Sequence, residues 1–222
     1  MTTNQTIRWI FKPAVLLAAL GPFAWLAWTI VTGNLSADPL KDITDETGVW
    51  TLRFLCITLA VTPLRRLTGW NSLIRFRRML GLYAFFYGTI HFLIYLVADR
   101  AARLDYPDGF VALGTVRDFV MLVGDDIYER PFITVGFTTW MAMLPLALTS
   151  TAGMIRRLGG REWRRLHRLI YVAAIAGVVH YLWVLKSDLR RPETYAAIVG
   201  LLLAFRIVPA ARAVRRAHHA PS

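Results

Sequence analysis

The sequence predicts an all-α integral membrane protein, a bundle of six transmembrane helices with both termini in the cytoplasm. Three observations lead to this prediction. Of the 222 residues, 56% are hydrophobic and 18% are charged, whereas about 25% of the residues in soluble domains are charged. The apolar residues gather into runs close to the roughly 20 residues that cross a bilayer. The segments between these runs alternate between strongly basic and mixed charge, as expected for repeated crossings.

The first apolar run, Ile10–Val31, is too long for the core of a signal peptide, and no small-residue cleavage site closes it. We therefore interpret it as a retained span. The remaining spans are placed at Val49–Leu67, Met79–Ala98, Phe132–Thr151, Leu169–Leu185 and Thr194–Pro209. No polar stretch is long enough to enclose a separate core, so residues 1–222 are interpreted as one transmembrane helical domain.

The topology follows from the charges. If the side that holds the N-terminus is called inside, the segments on that side contain one acid, Glu162. Their cations are Arg8, Lys12, Arg65, Arg66, Arg75, Arg77, Arg78, Arg156, Arg157, Arg161, Arg164, Arg165, Arg168, Arg212, Arg215 and Arg216. The other side carries more acids than bases, so the positive-inside rule predicts that both termini are cytoplasmic. Arginines that face anionic lipid headgroups also explain the net charge of +12 without nucleic acid.

The longest loop, Asp99–Pro131, is expected on the outer side. It contains a mildly apolar piece, Phe110–Gly124, which Arg117 and Asp118 interrupt. This piece is too short and too polar to span a bilayer. We expect a helix that lies on the outer surface, or a docking surface for a partner protein.

Two histidines stand deep inside apolar spans, where a polar side chain is costly unless it has a partner. His91 follows Arg78 by 13 residues and His180 follows Arg168 by 12 residues. At 1.5 Å of rise per residue, they lie about 19–20 Å and about 18 Å deep. Both helices are expected to run from inside to outside, so the two imidazoles could ligate one metal centre. The alternative is that each histidine hydrogen-bonds a neighbouring helix.

Haem iron suits this pair better than zinc does. A haem leaves two axial positions for protein ligands, while zinc takes four ligands, and no carboxylate lies nearby. The single cysteine, Cys56, is interpreted as an inert apolar residue. Gly88 and Gly177 flank the histidines together with Tyr87 and Tyr181. The glycines could leave room for a planar cofactor, and close helix contact through small residues explains them equally well.

His167 lies at the inner border and stands about 140° around the helix from His180. A second haem there would need a partner on the third span, where Arg77, Arg78 and Met79 are found. The sequence therefore predicts one bis-histidine haem and leaves open a second centre with His167 as one ligand. Two further histidines, His218 and His219, belong to a basic tail and are expected to be solvated.

Arg53 lies in the second span, three residues past Trp50 and in the same outer leaflet as the proposed haem. It is a candidate partner for a haem propionate, and the alternative is that it extends to the outer interface. The inner arginines lie beside Trp70 and Trp163, a combination that could hold a phosphate and a ring system such as flavin mononucleotide (FMN). No glycine-rich phosphate fingerprint makes that assignment specific.

Four segments resemble a known family. They are TLAVTPLRRLTG (58–69), RRMLGLYAFFYGTIHFLIYLVAD (77–99), RPFITVGFTTWMAMLPLALTS (130–150) and REWRRLHRLIYVAAIAGVVHYLWV (161–184). They resemble the MsrQ family (formerly YedZ), the haem-binding membrane subunits of bacterial protein-methionine-sulfoxide reductase systems. The resemblance covers residues from about 49 to 186. More distantly, the pattern is similar to the membrane domain of ferric reductases and NADPH oxidases.

The resemblance implies a multi-pass protein that carries electrons across the bacterial inner membrane. In that family electrons come from the quinol pool or a flavin reductase and pass through b-type haem, with FMN also bound. They reach a periplasmic molybdopterin-containing catalytic subunit, which reduces methionine sulfoxide in oxidised periplasmic proteins. No substrate-reducing site is expected on the membrane subunit itself.

The family's histidines correspond to His91, His167 and His180 in this sequence. The fourth histidine of the two-haem oxidases is absent here, and Arg77 and Arg78 stand in its place. One b-type haem is therefore expected, and a second depends on whether His167 finds another partner.

Two other classes of function compete with electron transfer. A small proton-coupled transporter could use the membrane histidines as proton relays, but the sequence has no carboxylate deep in any span and no inverted repeat. A structural assembly subunit for a periplasmic partner would depend on the outer loop and not on the histidines. Purified protein without colour would favour the transporter, and complementation by a triple histidine variant would favour the assembly subunit.

Overall fold

The computed structural model describes residues 2–96, 116–185 and 189–218. Within these ranges the regular structure is entirely helical, with no β-strand. The predicted all-α class is therefore confirmed for the described part of the chain. Residues 99–115 of the predicted outer loop and His219 lie outside that part, and so does the side chain of His218.

Eight principal helices follow one another along the described ranges. A short helix, Thr3–Thr6, and a π-helical turn, Ile7–Phe11, lead into the first of them. The principal helices are α1 (Lys12–Val31), α2 (Pro39–Thr68), α3 (Arg77–Ile94), α4 (Val116–Glu129), α5 (Pro131–Leu148), α6 (Ala152–Leu166), α7 (Leu169–Val184) and α8 (Arg190–His218). A 3₁₀ turn, Asn71–Arg75, separates α2 from α3.

Several of these helices fit a membrane. Within the described ranges, the helix Asn4–Val31, α2 and α5 are long and apolar enough to cross one. The pair α6 and α7, bent by 41° at its break, would be a fourth crossing if it formed one span. By length and composition α3 and α8 do not join them, and α3 begins with Arg77 and Arg78. The membrane character of the fold is thus supported, while the count of six spans stays a prediction.

Helix α2 begins ten residues before the predicted start of its span. The side chain of Asp38 caps it by accepting a hydrogen bond from the backbone N–H of Lys41 (3.1 Å), and Pro39 occupies its first turn, where the missing N–H costs nothing. Lys41 also pairs with Asp45 at 2.5 Å, one turn later. These polar turns are helical although they are not apolar, so a search for apolar runs does not find them.

The two loops predicted on either side of α5 contain helices. In the outer loop, a surface helix was expected at Phe110–Gly124, and α4 runs from Val116 to Glu129. In the inner loop, no helix was expected, but α6 occupies most of it and changes direction at Gly159, whose φ is 75°. Thr151 caps α6 by accepting from the N–H of Met154 at 3.2 Å.

The core lies where α2, α3, α5 and α7 pack together. Helix α2 packs against α3, α7 and α8, and α5 packs against α3, α4 and α7. Leu55, Leu59, Ala84, Ala173 and Ala174 are completely buried in this core. Small residues on α3 and α7 let the neighbouring backbones approach closely. Helices α3 and α7 both pack against α2 and α5.

Helix α1 contributes Ala19 to this core, and one tyrosine in particular attaches it. The hydroxyl group of Tyr87 donates to the carbonyl oxygen of Ala19 (2.8 Å) and accepts from the N–H of Phe23 (3.1 Å). It is therefore inserted into the hydrogen-bond ladder of α1 beside Pro22, which has no N–H to contribute. The other face of α1 is exposed and apolar, as a lipid-facing helix should be.

Candidate functional site

The structure brings the two deep histidines together. His91 on α3 and His180 on α7 have ring centroids 6.1 Å apart, with an angle of 80° between the ring planes. A metal-bound imidazole nitrogen lies about 2 Å from its metal ion, so two imidazoles on opposite sides of one ion have centroids roughly 6 Å apart. The observed separation matches this value.

Each of the two imidazoles is held through its Nδ1 atom. His91 Nδ1 lies 3.0 Å from the carbonyl oxygen of Thr44, and His180 Nδ1 lies 2.7 Å from the carbonyl oxygen of Phe132. A carbonyl oxygen can only accept, so Nδ1 is the protonated nitrogen in both rings and the lone pair is on Nε2. Metal-binding histidines in proteins typically have this arrangement, with one nitrogen anchored to a carbonyl oxygen.

A glycine on a neighbouring helix faces each ring. A Cβ atom at Gly48 on α2 would lie 3.1 Å from Cε1 of His91, and one at Gly136 on α5 would lie 2.8 Å from Cε1 of His180. Neither glycine was predicted from the sequence, because both lie on helices that carry no histidine. The two glycines that were predicted, Gly88 and Gly177, line a cavity that His91 and His180 also line.

The outer cavity, as we name it, has a volume of about 290 Å³, near the lower end of the roughly 300–1,000 Å³ of ligand pockets. Its described lining is mostly apolar and aromatic, with Asp45 and Arg130 as the charged residues. The lining is Thr44, Asp45, Gly48, Val49, Thr51, Leu52, Leu55, Gly88, His91, Phe92, Tyr95, Ile127, Arg130, Phe132, Ile133, Gly136, Phe137, Thr139, Trp140, Met143, Gly177, His180, Tyr181 and Val184.

This set of donors suits a metal that brings most of its own ligands. Nowhere in the described ranges do three or more histidine, cysteine, aspartate or glutamate side chains group to hold an ion. Two imidazoles with free Nε2 atoms, in an apolar cavity, fit the axial positions of a haem. They do not fit a zinc site, which takes four ligands.

His167 lies apart from this pair, between α6 and α7. Its Nδ1 is 3.0 Å from the carbonyl oxygen of Trp163, and its ring stacks on the Trp163 ring with centroids 3.8 Å apart. Its Nε2 atom is buried and has no hydrogen-bond partner among the described residues. The hydroxyl oxygen of Thr58 is also buried without a described partner. Thr58 and His167 line one cavity, described next.

The inner cavity, next to His167, has a volume of about 220 Å³. Its described lining is Thr58, Ile74, Arg77, Arg78, Gly81, Leu82, Met143, Leu146, Ala147, Ser150, Trp163, His167 and Ile170. It contains two arginines and, within the described residues, a single histidine. The structure thus places Arg77 and Arg78 in the same cavity as His167, and the described lining supplies no second histidine.

Arg53 is not among the residues that line the outer cavity. Its Nε donates to the hydroxyl oxygen of Tyr195 on α8 at 3.1 Å, and its guanidinium lies over the Trp50 ring, 4.4 Å from the centroid. Arg130, which sequence analysis did not single out, lines the cavity instead. Its position just before Pro131, at the start of an apolar span, is a signal that could have pointed to it.

Comparison with known proteins gives a consistent result. The family described as "ferric reductase like transmembrane component" matches residues 47–178. Curated relatives are protein-methionine-sulfoxide reductase heme-binding subunits MsrQ. The protein of Ralstonia nicotianae is 52% identical over 87% of this chain and 83% of its own length. That of Xanthomonas oryzae pv. oryzae is 45% identical over 93% and 89%, and that of Herminiimonas arsenicoxydans is 46% identical over 89% and 84%. No solved structure matches the chain.

Proposed function

This chain belongs to the ferric reductase-like transmembrane family and, within it, to the MsrQ subunits, and on that premise we propose that it carries electrons across the bacterial inner membrane through haem. It is a redox membrane subunit with six transmembrane helices and both termini in the cytoplasm. Residues 1–222 form one helical domain, and residues from about 49 to 186 form its ferric reductase-like core.

His91 and His180 are the proposed axial ligands of a b-type haem in the outer cavity. The observation that carries this proposal is the 6.1 Å between the two ring centroids, together with the two Nδ1 atoms that backbone carbonyl oxygens engage. When bound, the haem supplies an iron that accepts and releases one electron at a time. The chain supplies two fixed Nε2 atoms, and the apolar walls of the cavity exclude water.

His167 is proposed either as an accessory ligand or as the ligand of a second haem at the inner cavity. The buried Nε2 atom without a described partner supports this role. The lining offers Arg77 and Arg78 in place of a second histidine, so such a centre would have one histidine ligand or an unforeseen second one. We therefore propose one haem at His91 and His180, and a second haem only if His167 has another partner. Arg53 stays a candidate partner for a haem propionate.

The donor and the acceptor come from the family and are proposed on that ground. Electrons enter from the quinol pool or a flavin reductase, with FMN bound on the way. They leave to a periplasmic molybdopterin-containing methionine sulfoxide reductase, the partner of this chain in a heterodimer, which repairs oxidised periplasmic proteins. The chain itself is proposed to have no substrate-reducing residue.

Absorption spectroscopy tests the ligand assignment. We expect the detergent-purified chain to show a sharp b-type α band after dithionite reduction. His91→Ala or His180→Ala should remove this low-spin band while the chain still inserts, and His167→Ala should keep it. Normal spectra in both of the first two variants would refute the ligand assignment. Colourless protein from haem-replete cells would refute haem-mediated transfer altogether and favour a transporter or an assembly subunit.

A further inference from the structure

The described walls of the outer cavity offer one cation. Their charged residues are Asp45 and Arg130. Asp45 is an acid and cannot be the counter-ion of an anionic group. An anionic group inside the cavity would therefore find Arg130 as its counter-ion.

Arg130 is held firmly at the junction of α4 and α5. Its backbone N–H donates to the carbonyl oxygen of Asp126 (3.0 Å), and its own carbonyl oxygen accepts from the N–H of Ile133 (2.9 Å). Its Nε lies 3.4 Å from Oδ1 of Asp126. The carboxylate of Asp126 is 7% exposed and also accepts from the hydroxyl group of Tyr95 at 2.6 Å.

This arrangement leaves part of the guanidinium available. An arginine has five N–H donors in a planar fork that matches a carboxylate. Asp126 engages Arg130 through Nε, and among the described residues no acceptor contacts the two Nη groups, which can therefore donate to a ligand. Phe132, two residues after Arg130, holds His180 through its backbone carbonyl oxygen. One turn of chain therefore positions both an imidazole and a cation toward the same cavity.

We propose that Arg130 is the residue that binds the carboxylate groups of the haem in the outer cavity. This inference rests on the proposed function, because it requires a haem there. Arg53, the other candidate for this role, is engaged with Tyr195 and Trp50 and does not line the cavity. Arg130 acts on the iron through charge, without touching it.

The charge of Arg130 has a consequence for the reduction potential. Ferric haem carries one more positive charge than ferrous haem, so a nearby cation favours the ferrous form. Loss of the cation, with the propionate left unneutralised, favours the ferric form. The midpoint potential of the haem between His91 and His180 should therefore fall in Arg130→Gln and return toward the wild-type value in Arg130→Lys.

The experiment uses the full chain, stripped of haem in detergent and then titrated either with haem or with its dimethyl ester, in which the carboxylates are blocked. The comparison includes the wild type, Arg130→Gln, Arg130→Lys and Arg53→Gln. We expect Arg130→Gln to weaken binding of haem by about tenfold, the loss of one charge-assisted hydrogen bond. It should bind the ester as the wild type does. Arg53→Gln tests the other candidate, because only one of the two variants should lose the preference for haem over its ester.

Several outcomes would overturn the proposal. One is an unchanged midpoint potential in Arg130→Gln together with an unchanged preference for haem over its ester. Another is a shift in Arg53→Gln but not in Arg130→Gln, which would assign the role to Arg53. If Arg130→Gln does not fold, the wild-type protein still tests the proposal. Equal affinity of the wild type for haem and for its ester would exclude any contact between a cation and the haem carboxylates. Failure of the wild type to bind haem would instead refute the proposed function.

Discussion

At the scale of the residue, the ring of His180 touches a glycine of the facing helix. A methyl group at Gly136 would lie 2.8 Å from both Cε1 and Nδ1 of His180, closer than a Cβ atom approaches an atom to which it is not bonded. In Gly136→Ala the ring must move, and its hydrogen bond to the carbonyl oxygen of Phe132 must break or lengthen. We expect the haem-to-protein ratio to fall several-fold while the chain still inserts, because ligands displaced by about 1 Å lose their geometry.

Two matched substitutions control for the added methyl group. Gly21→Ala on α1 adds a methyl group that has no neighbour within 4 Å. Gly200→Ala on α8 meets nothing within 4 Å. Both should keep the haem content and the spectrum of the wild type. If Gly136→Ala also kept them, the glycine would not be needed to position His180.

The pairing of the histidines was predictable from the sequence, but their surroundings were not. His91 and His180 each follow a group of arginines at nearly the same distance, and two helices that run in the same direction bring equal depths together. Gly48 and Gly136 lie on other helices, at places that only the packing defines. Arg130 belongs to a junction between helices, where depth along a span gives no guidance.

At the scale of the helix, a proline in α2 leaves one backbone carbonyl oxygen without its helical donor, and α8 supplies a donor for that oxygen. Pro63 has no N–H, so the carbonyl oxygen of Leu59, one turn earlier, lacks its helical partner. Arg206 on α8 donates to that oxygen from Nη2 at 2.6 Å, and also to the hydroxyl groups of Thr62 (3.2 Å) and Tyr171 (3.0 Å). The arginine thus ties α8 to α2 and α7.

A double-mutant cycle tests this connection. Arg206→Leu should lower the free energy of unfolding by about 1.5–3 kcal/mol, the value of hydrogen bonds to a charged group. In a Pro63→Ala background, residue 63 supplies the missing N–H, and Arg206→Leu should cost less. Reversible denaturation in mixed micelles measures the coupling. Equal costs in the two backgrounds would mean that Arg206 stabilises the protein through Tyr171 and Thr62 alone.

Helices that are not apolar show the limit of prediction at this scale. The spans were found from runs of apolar residues, and α5 and α7 begin within a residue of their predicted starts. The first turns of α2 and the whole of α6 are polar or basic, so no such run marks them. Asp38 and Thr151 cap these helices, and a cap of this kind leaves no mark in the pattern of apolar residues.

At the scale of the whole molecule, the arrangement of charge predicts which side each junction faces, and single cysteines can test it. Cys56 is buried, so a Cys56→Ala chain gives a background without reactive thiols. Asp125 on α4 and Arg157 on α6 are both exposed, and the positive-inside rule puts them on opposite sides of the membrane.

In spheroplasts, a membrane-impermeant maleimide should label Asp125→Cys at once and Arg157→Cys only after permeabilisation. Labelling of both from outside would contradict six spans, because the two positions lie on opposite sides of the membrane if α5 crosses it once. The reverse pattern would keep the spans and invert the protein, which would place the outer cavity, and with it His91 and His180, toward the cytoplasm.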